Sequence, residues 1–368
     1  MRDKERFYQL SLPVLEVYFG IEEQILLNIA KRLRRANSLI DDDILAWQAQ
    51  ALSEFQALTE DNMRLLARSS GRTDQEIRRA LQEAGYGSLL EHERVLQEGV
   101  RIGALRGAPP LRESSSLLAI LQAYERQARQ KFNLINTTML SQSQRAYLDI
   151  VNRTTGEVMS GATTHREALR KTVQEWAQHG IPALIDRAGR EWSAEAYVSM
   201  VMRSTANTVA NEMQQERFRE YDVDLIEVSS YEGARPKCAE DQGKIYSLSG
   251  RSNKYPPFSS TSYGEPDGLF GINCGHTQYP YIEGLTVRTF YPTENKAEND
   301  RIYLESQQQR YLERQVRLAK REEQMMKALG DAEGAQEARR KVLDSQARVR
   351  EFVRATGRTR RYDREQIY

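Results

Sequence analysis

The sequence predicts an α+β protein with a mainly helical N-terminal region, a small β-rich module and a long C-terminal amphipathic helix. Three observations predict it. Apolar residues recur at helical spacing through most of residues 1–222. Residues 223–292 then hold six of the ten prolines, among glycines, aromatics and short β-type runs. From Glu294 helical periodicity returns, giving expected domains of 1–222, 223–292 and 293–368.

Each element follows from its own pattern. Val17, Ile21, Ile25, Ile29 and Leu33 recur every fourth position, a stripe along one face of a helix from about Leu15 to Arg35. Lys31, Arg32, Arg34 and Arg35 crowd its last turn, where cations suit the helix dipole. A second helix is expected from Ile44 to about Ser69. Thr73, with Glu76 three residues on, reads as a capping box opening a third helix, and Gly85 and Gly87 read as its breakers. Pro109-Pro110 marks a connection before a helix from Ser114 to Tyr147, with Leu118, Leu121 and Tyr124 on one side. Asn152 to Gly161 reads as a turn or short hairpin. Helices are expected over His165–His179 and Ala194–Tyr221, separated by Gly180-Ile181-Pro182 and a polar segment from Asp186 to Arg190. Beyond Val223, Leu225-Ile226-Glu227-Val228 and Lys244-Ile245-Tyr246 are β-type runs. Leu304, Tyr311, Leu318 and Met325 stand seven apart, with Leu312, Ala319 and Met326 beside them. That helix can fold back on its own chain or pack against a partner.

Composition excludes several classes. Charged residues make up 29% and apolar ones 39%, a polar chain that stops short of a disordered composition. Lysine and arginine (53) balance aspartate and glutamate (52), so no global field draws the protein onto DNA or an anionic membrane. The charged start Met1–Arg6 lacks the apolar core of a signal peptide, and no apolar run approaches the ~18 residues of a membrane span, so no membrane partner is expected. With two cysteines and no sign of export, reduced thiols are the default. There is no Walker loop, no dinucleotide glycine motif in a β-α setting and no His-Glu-x-x-His, so an ATP-driven role is disfavoured.

Information is densest where turn glycines and rings surround three blocks. These are Ala234-Arg235-Pro236 followed by Cys238, then Gln242-Gly243-Lys244, then Asn273-Cys274-Gly275-His276-Thr277-Gln278-Tyr279-Pro280. In this order and spacing they resemble the phage minor capsid protein 2 family, and the likeness continues into Gln307–Arg314 and the stretch from Arg317 to Arg321. The family pattern has histidine near position 238, where this chain has cysteine. The resemblance implies a minor head protein of a tailed bacteriophage, acting in head assembly at the portal. It implies the portal protein and a capsid or scaffolding protein as partners. It also implies a place in the capsid interior or at the portal vertex of the virion, after assembly in the host cytoplasm.

The residues Arg235, Pro236, Cys238, Gln242, Gly243, Lys244, Asn273, Cys274 and His276 are expected to be architectural, with no catalytic residue and no cofactor. Two chemical readings stand beside that one. Cys238, Cys274 and His276 can offer zinc three soft ligands, with Asp241 or water as a fourth, although the spacing is not that of a paired Cys-x-x-Cys site. Cys274-Gly275-His276 can also form a thiol–imidazole pair, although no oxyanion or orienting carboxylate motif accompanies it. The alternative to a structural role is therefore a thiol- or metal-dependent enzyme, or an ejected effector, using Cys274 and His276.

The tail carries the remaining signal. Ten basic side chains between Arg339 and Arg364 face Asp344, Glu351 and Asp363, a local net of +7. Arg339, Arg340, Lys341, Arg348, Arg350, Arg354, Arg358, Arg360 and Arg361 are candidates for sequence-independent contact with packaged double-stranded DNA. The competing reading is a solvated helix face.

Overall fold

The computed structural model describes residues 3–37 and 43–367, so Met1 and Arg2 of the charged start lie outside the described residues. The elements run α1 (Asp3–Asn37), α2 (Ile44–Ser53), α3 (Phe55–Arg101), α4 (Ser115–Met159), α5 (His165–His179), β1 (Pro182–Ile185), β2 (Glu191–Ser193) and α6 (Ala194–Tyr221). They continue as β3 (Leu225–Val228), α7 (Pro236–Asp241), β4 (Ile245–Ser247), β5 (Gln278–Pro280), α8 (Lys296–Leu329) and α9 (Ala332–Thr356). The α+β class, dominated by helix, is as the sequence predicts. No described helix is long and apolar enough to cross a membrane.

Four expectations are corrected. Helix α3 runs unbroken through Thr73, Gly85 and Gly87. Thr73 caps nothing, its hydroxyl donating back to the Ser69 carbonyl at 2.9 Å. Gly85 is there for close packing, since a Cβ on it would stand 2.3 Å from the Met213 sulfur. A glycine inside a helix costs about 1 kcal/mol, which tertiary contact readily offsets. Helix α4 likewise continues to Met159 through the stretch read as a turn, because Val151, Thr154 and Thr155 face inward. Finally, the single helix expected from Ile44 to about Ser69 is divided, α2 ending at Ser53 and α3 starting at Phe55. The polar segment at 186–190 is the turn of an antiparallel hairpin pairing Ile185 with Glu191. The Asp186 carboxylate closes that turn by accepting from the amides of Ala188 (2.9 Å) and Arg190 (3.0 Å).

The chain packs into two compact units. The first comprises Met1–Val14, Asp74–Lys131 and Ser199–Ser306; the second comprises Leu15–Thr73, Phe132–Val198 and Gln307–Tyr368.

In the first unit α6 stops where the composition changes. Asp222 turns left-handed (φ 59°), and the Val223 amide donates back to the Phe218 carbonyl at 2.8 Å. The chain then enters a three-stranded antiparallel sheet of order β4-β3-β5, with Ile226 between Tyr246 and Pro280. Pro280 lies on an edge strand, where its missing N–H is tolerated. Ile226, Val228, Tyr246, Phe258, Leu269 and Phe270 pack with Phe218 and Leu96 into one apolar cluster. Arg217 is fully buried here. It grips Glu93 with two nitrogens (3.0 and 2.5 Å), Glu220 (2.6 Å) and the Pro109 carbonyl (2.8 Å), tying the Pro109-Pro110 connection to α6.

In the second unit the predicted stripe of α1 is buried from Val17 to Leu33. Glu22 is buried with it, accepting from Arg321 (2.6 Å) and from the Ile181 amide (3.0 Å). Burial pushes the Glu22 carboxyl above its ordinary value, and Arg321 pulls against that rise. Helix α5 starts on a capping box of Thr164 and Glu167. Gly330, in the left-handed region (φ 87°), reverses the chain after α8, and Asp331 caps α9 while Arg170 holds its carboxylate at 2.5 and 2.8 Å. Although burial opposes it, Arg170 keeps the Asp331 carboxyl below its usual range.

Helices α8 and α9 thus form an antiparallel hairpin, with Val316, Ala319, Met325, Met326 and Leu329 buried on one arm and Ala338, Val342 and Val349 on the other. Of the predicted seven-residue seam only Met325 is buried, and Leu318 is half-buried. Leu304 (64% exposed) and Tyr311 (49%) face solvent, while Met325 is 1% exposed.

Candidate functional site

The polar residues of the three sequence blocks converge in the first unit around a buried Cys–Cys–His cluster. Cys238 sits on α7, a short helix opened by Pro236 at its first turn, where a missing N–H costs nothing. Cys274 and His276 sit on the segment leading into β5, and the sulfurs and an imidazole nitrogen of the three residues all lie within 4.8 Å of one another.

The surrounding bonds fix each group. Cys274 Sγ accepts from the amides of Phe270 (3.2 Å) and His276 (3.4 Å) and lies 3.3 Å from His276 Nδ1. Cys238 Sγ donates to the Gly268 carbonyl at 3.5 Å. On the far side of the ring, His276 Nε2 is 2.8 Å from Gln242 Oε1. That oxygen also accepts the Tyr231 amide (3.1 Å), while the Gln242 amide nitrogen donates to Thr293 Oγ1 (2.6 Å) and the Tyr231 carbonyl (3.3 Å). A backbone N–H can only donate, so Oε1 is an acceptor and His276 Nε2 must carry hydrogen. The Tyr231 ring stacks on the imidazole at 4.4 Å between centroids.

The two sulfurs are electrostatically unequal. Hydrogen bonding to Cys274, reinforced by burial, raises the Cys238 thiol above its ordinary value. Burial works the same way on Cys274, but the Cys238 hydrogen bond and His276 outweigh it and hold Cys274 well below the normal range.

The other motif residues brace this centre. Arg235 spans the loop by donating to the carbonyls of Asp267 (2.8 Å) and Ile272 (2.7 Å), rather than pairing with a carboxylate. Asp241 turns away from the sulfurs to accept from the Ser262 amide (2.9 Å) and hydroxyl (2.5 Å). Gly243 adopts φ 67°, and a Cβ there would stand 2.0 Å from the Tyr291 carbonyl oxygen. The Lys244 backbone carbonyl accepts from the Val228 amide (3.0 Å), joining the block to β3. Asn273 is left-handed (φ 59°), a conformation asparagine tolerates better than most residues, and its amide donates to Ser204 Oγ (3.0 Å).

Ser204 belongs to a row that sequence reasoning missed. On α6, Asn207 and Asn211 both donate to the His276 carbonyl (2.9 and 3.2 Å), and Gln214 contacts His92 (3.2 Å). The signal was present as polar residues at 204, 207, 211 and 214, spaced i, i+3, i+7, i+10 on a helix otherwise lined by Val201, Met202, Val209, Ala210 and Met213. Such a stripe inside an apolar helix marks backbone that needs partners.

The basic tail is dispersed rather than gathered. Lys341 pairs with Glu322 (2.7 Å), Arg339 with Glu323 (3.6 Å), Arg360 with Glu365 (2.6 Å) and Arg361 with Asp363 (3.4 Å), while Arg358 bonds Gln309 (2.7 Å). Arg340, Arg348, Arg350 and Arg354 are exposed on α9, interspersed with exposed Glu337, Asp344 and Glu351.

Fold and site together define a mainly helical α+β protein whose sequence motifs fold into a buried, hydrogen-bonded thiol–imidazole cluster. The chain belongs to the phage minor capsid protein 2 family, which matches residues 3–354. It is similar to a structural protein of Lactococcus phage LL-H, 28% identical over 96% of this chain and 98% of that one. It is also similar to a structural protein of Lactococcus phage mv4, 36% identical over 31% of this chain and 93% of that one. No solved structure matches it significantly.

Proposed function

We propose that this chain is a non-enzymatic structural component of the tailed-phage head. It acts in head assembly, docking to the portal protein and to a capsid or scaffolding protein, and resides in the capsid interior or at the portal vertex. The observation that carries the docking role is the uncovered start of the α8 seam, where exposed Leu304 and Tyr311 continue an apolar spacing that passes through half-buried Leu318 to buried Met325. Similarity to structural proteins of two Lactococcus phages supports the structural role. Burial of Cys274 and His276, with Nε2 committed to Gln242, favours architecture over turnover at the cluster.

The test is assembly with Leu304→Glu and Tyr311→Glu together. The variant should fold as the parent does, since both positions are exposed. It should lose most of its incorporation into heads and its cross-links to the portal protein. Normal incorporation would remove α8 from the docking surface.

A second role, contact with packaged DNA, is favoured by the exposed Arg340, Arg348, Arg350 and Arg354 of α9. Charge reversal at Arg340, Arg350 and Arg354 should abolish weak, salt-sensitive duplex binding, whereas unchanged retention at low salt would eliminate this role.

A further inference from the structure

We propose that Cys238, Cys274 and His276 form a binding site for a single thiophilic divalent ion of the zinc class, through both sulfurs and the Nδ1 nitrogen. Convergence is the first ground. Three soft donors from two separate segments, 36 residues apart at Cys238 and Cys274, are all buried and lie within 4.8 Å of one another. Sulfur and imidazole together are the donor set that zinc prefers over the oxygen-seeking magnesium and calcium.

The tautomer is the second ground. Because Gln242 Oε1 is an acceptor, His276 carries its hydrogen on Nε2, and the lone pair of Nδ1 points toward the sulfurs. A histidine that donates its outer N–H to a fixed carbonyl while directing the other nitrogen inward is held as metal-ligating histidines are held. Gln242 is itself locked by Thr293 and Tyr231, so the orientation is built into the fold.

The third ground is the treatment of the sulfur. Two backbone amides aim at Cys274 Sγ, an arrangement that supports negative charge there and that a neutral thiol does not require. The loop bearing it is pinned from behind by Asn207 and Asn211. Three protein donors leave one position of a tetrahedral ion to water. Binding releases two protons to solvent, that of the Cys238 thiol and the one shared by Cys274 Sγ and His276 Nδ1, 3.3 Å apart.

The experiment uses the full-length chain, purified under reducing conditions and freed of metal, titrated with cobalt(II) and then zinc(II). About one cobalt per chain should bind to the metal-free protein with release of about two protons and with sulfur-to-cobalt charge-transfer absorption in the near ultraviolet, and about one zinc should then displace it. Cys274→Ala and His276→Ala should each lower binding at least tenfold, while His179→Ala, at the exposed histidine paired with Glu191, should leave it unchanged. The parent chain decides the matter even if the ligand variants do not fold. Absence of the absorption band in the folded parent would overturn the site. So would undiminished binding in a Cys238→Ala, Cys274→Ala double variant, or a Cys238–Cys274 disulfide persisting in the reduced protein.

Discussion

The braced cluster of the first unit and the α8–α9 hairpin of the second solve burial in opposite ways. Around His276 nearly every fixed contact is a named polar bond: Gln242 on Nε2, Asn207 and Asn211 on its carbonyl, Ser204 on Asn273. In the hairpin most buried positions are apolar, Val316, Ala319, Met325, Met326, Ala338, Val342 and Val349, with the buried Glu322 of α8 answered by Lys341 of α9. Polar bonds are directional, so one lost partner strands another. Apolar contacts are non-directional and tolerate exchange among hydrophobic groups of similar volume. The cluster should therefore be sensitive to residue identity, and the hairpin to polarity.

The largest effect is expected where a charge enters the hairpin. Met325→Glu places a carboxylate with no partner at a position 1% exposed, and should destabilise by about 5 kcal/mol or prevent folding, read by thermal circular dichroism. Met325→Leu should cost less than about 1.5 kcal/mol. Comparable losses from the two would break the contrast.

Next comes the polar side. Arg217→Ala strands Glu93 and Glu220 in the first unit and should cost about 3–5 kcal/mol in urea denaturation. Arg217→Lys should recover little of that, because an ammonium cannot span Glu93, Glu220 and the Pro109 carbonyl as the guanidinium fork does.

The pH dependence sharpens the same point. His92 is buried against Gln214 and Tyr279, and burial, helped by nearby Arg6, pushes its pKa down to about 4. The folded state thus prefers neutral His92, whereas the unfolded chain titrates near 6.5. This contribution is complete above about pH 6.5 and is lost as the pH falls toward 4, with a ceiling of about 3 kcal/mol. Stability measured from pH 7 to pH 4 should fall less steeply in His92→Gln than in the parent. An identical slope would exclude His92 as its source.

The smallest effect is expected from Gln242→Ala. It removes the oxygen that accepts the Tyr231 amide and His276 Nε2 and should cost about 1–3 kcal/mol by calorimetry, although the alanine is compatible with the backbone there. A neutral result would mean that water replaces the amide and that the cluster is less exacting than its bonds indicate.

Much was legible in the sequence. The stripe of α1, the limits of α5 and α6, and the switch at Val223 all follow from periodicity, capping chemistry and turn residues, which act over a few neighbouring positions. The family was legible too, because ordered motif blocks survive in one dimension. The sequence by itself therefore determined the helical α+β class and the membership of Arg235, Gln242, Cys274 and His276 in one motif set. Only the tertiary structure decided that α3 passes straight through Gly85 and Gly87, since the reason lies at Met213, more than a hundred residues away. It alone decided that Leu304 is exposed while Met325 is buried, because identical spacing cannot tell which turns of a helix find a neighbour. It also decided that much of the tail charge is neutralised, by Glu322 and Glu323 on α8 and by Glu365 at the chain's end. And it brought Cys238 to Cys274 and set Asn207 and Asn211 behind His276, contacts between residues far apart in sequence that only the packed chain juxtaposes.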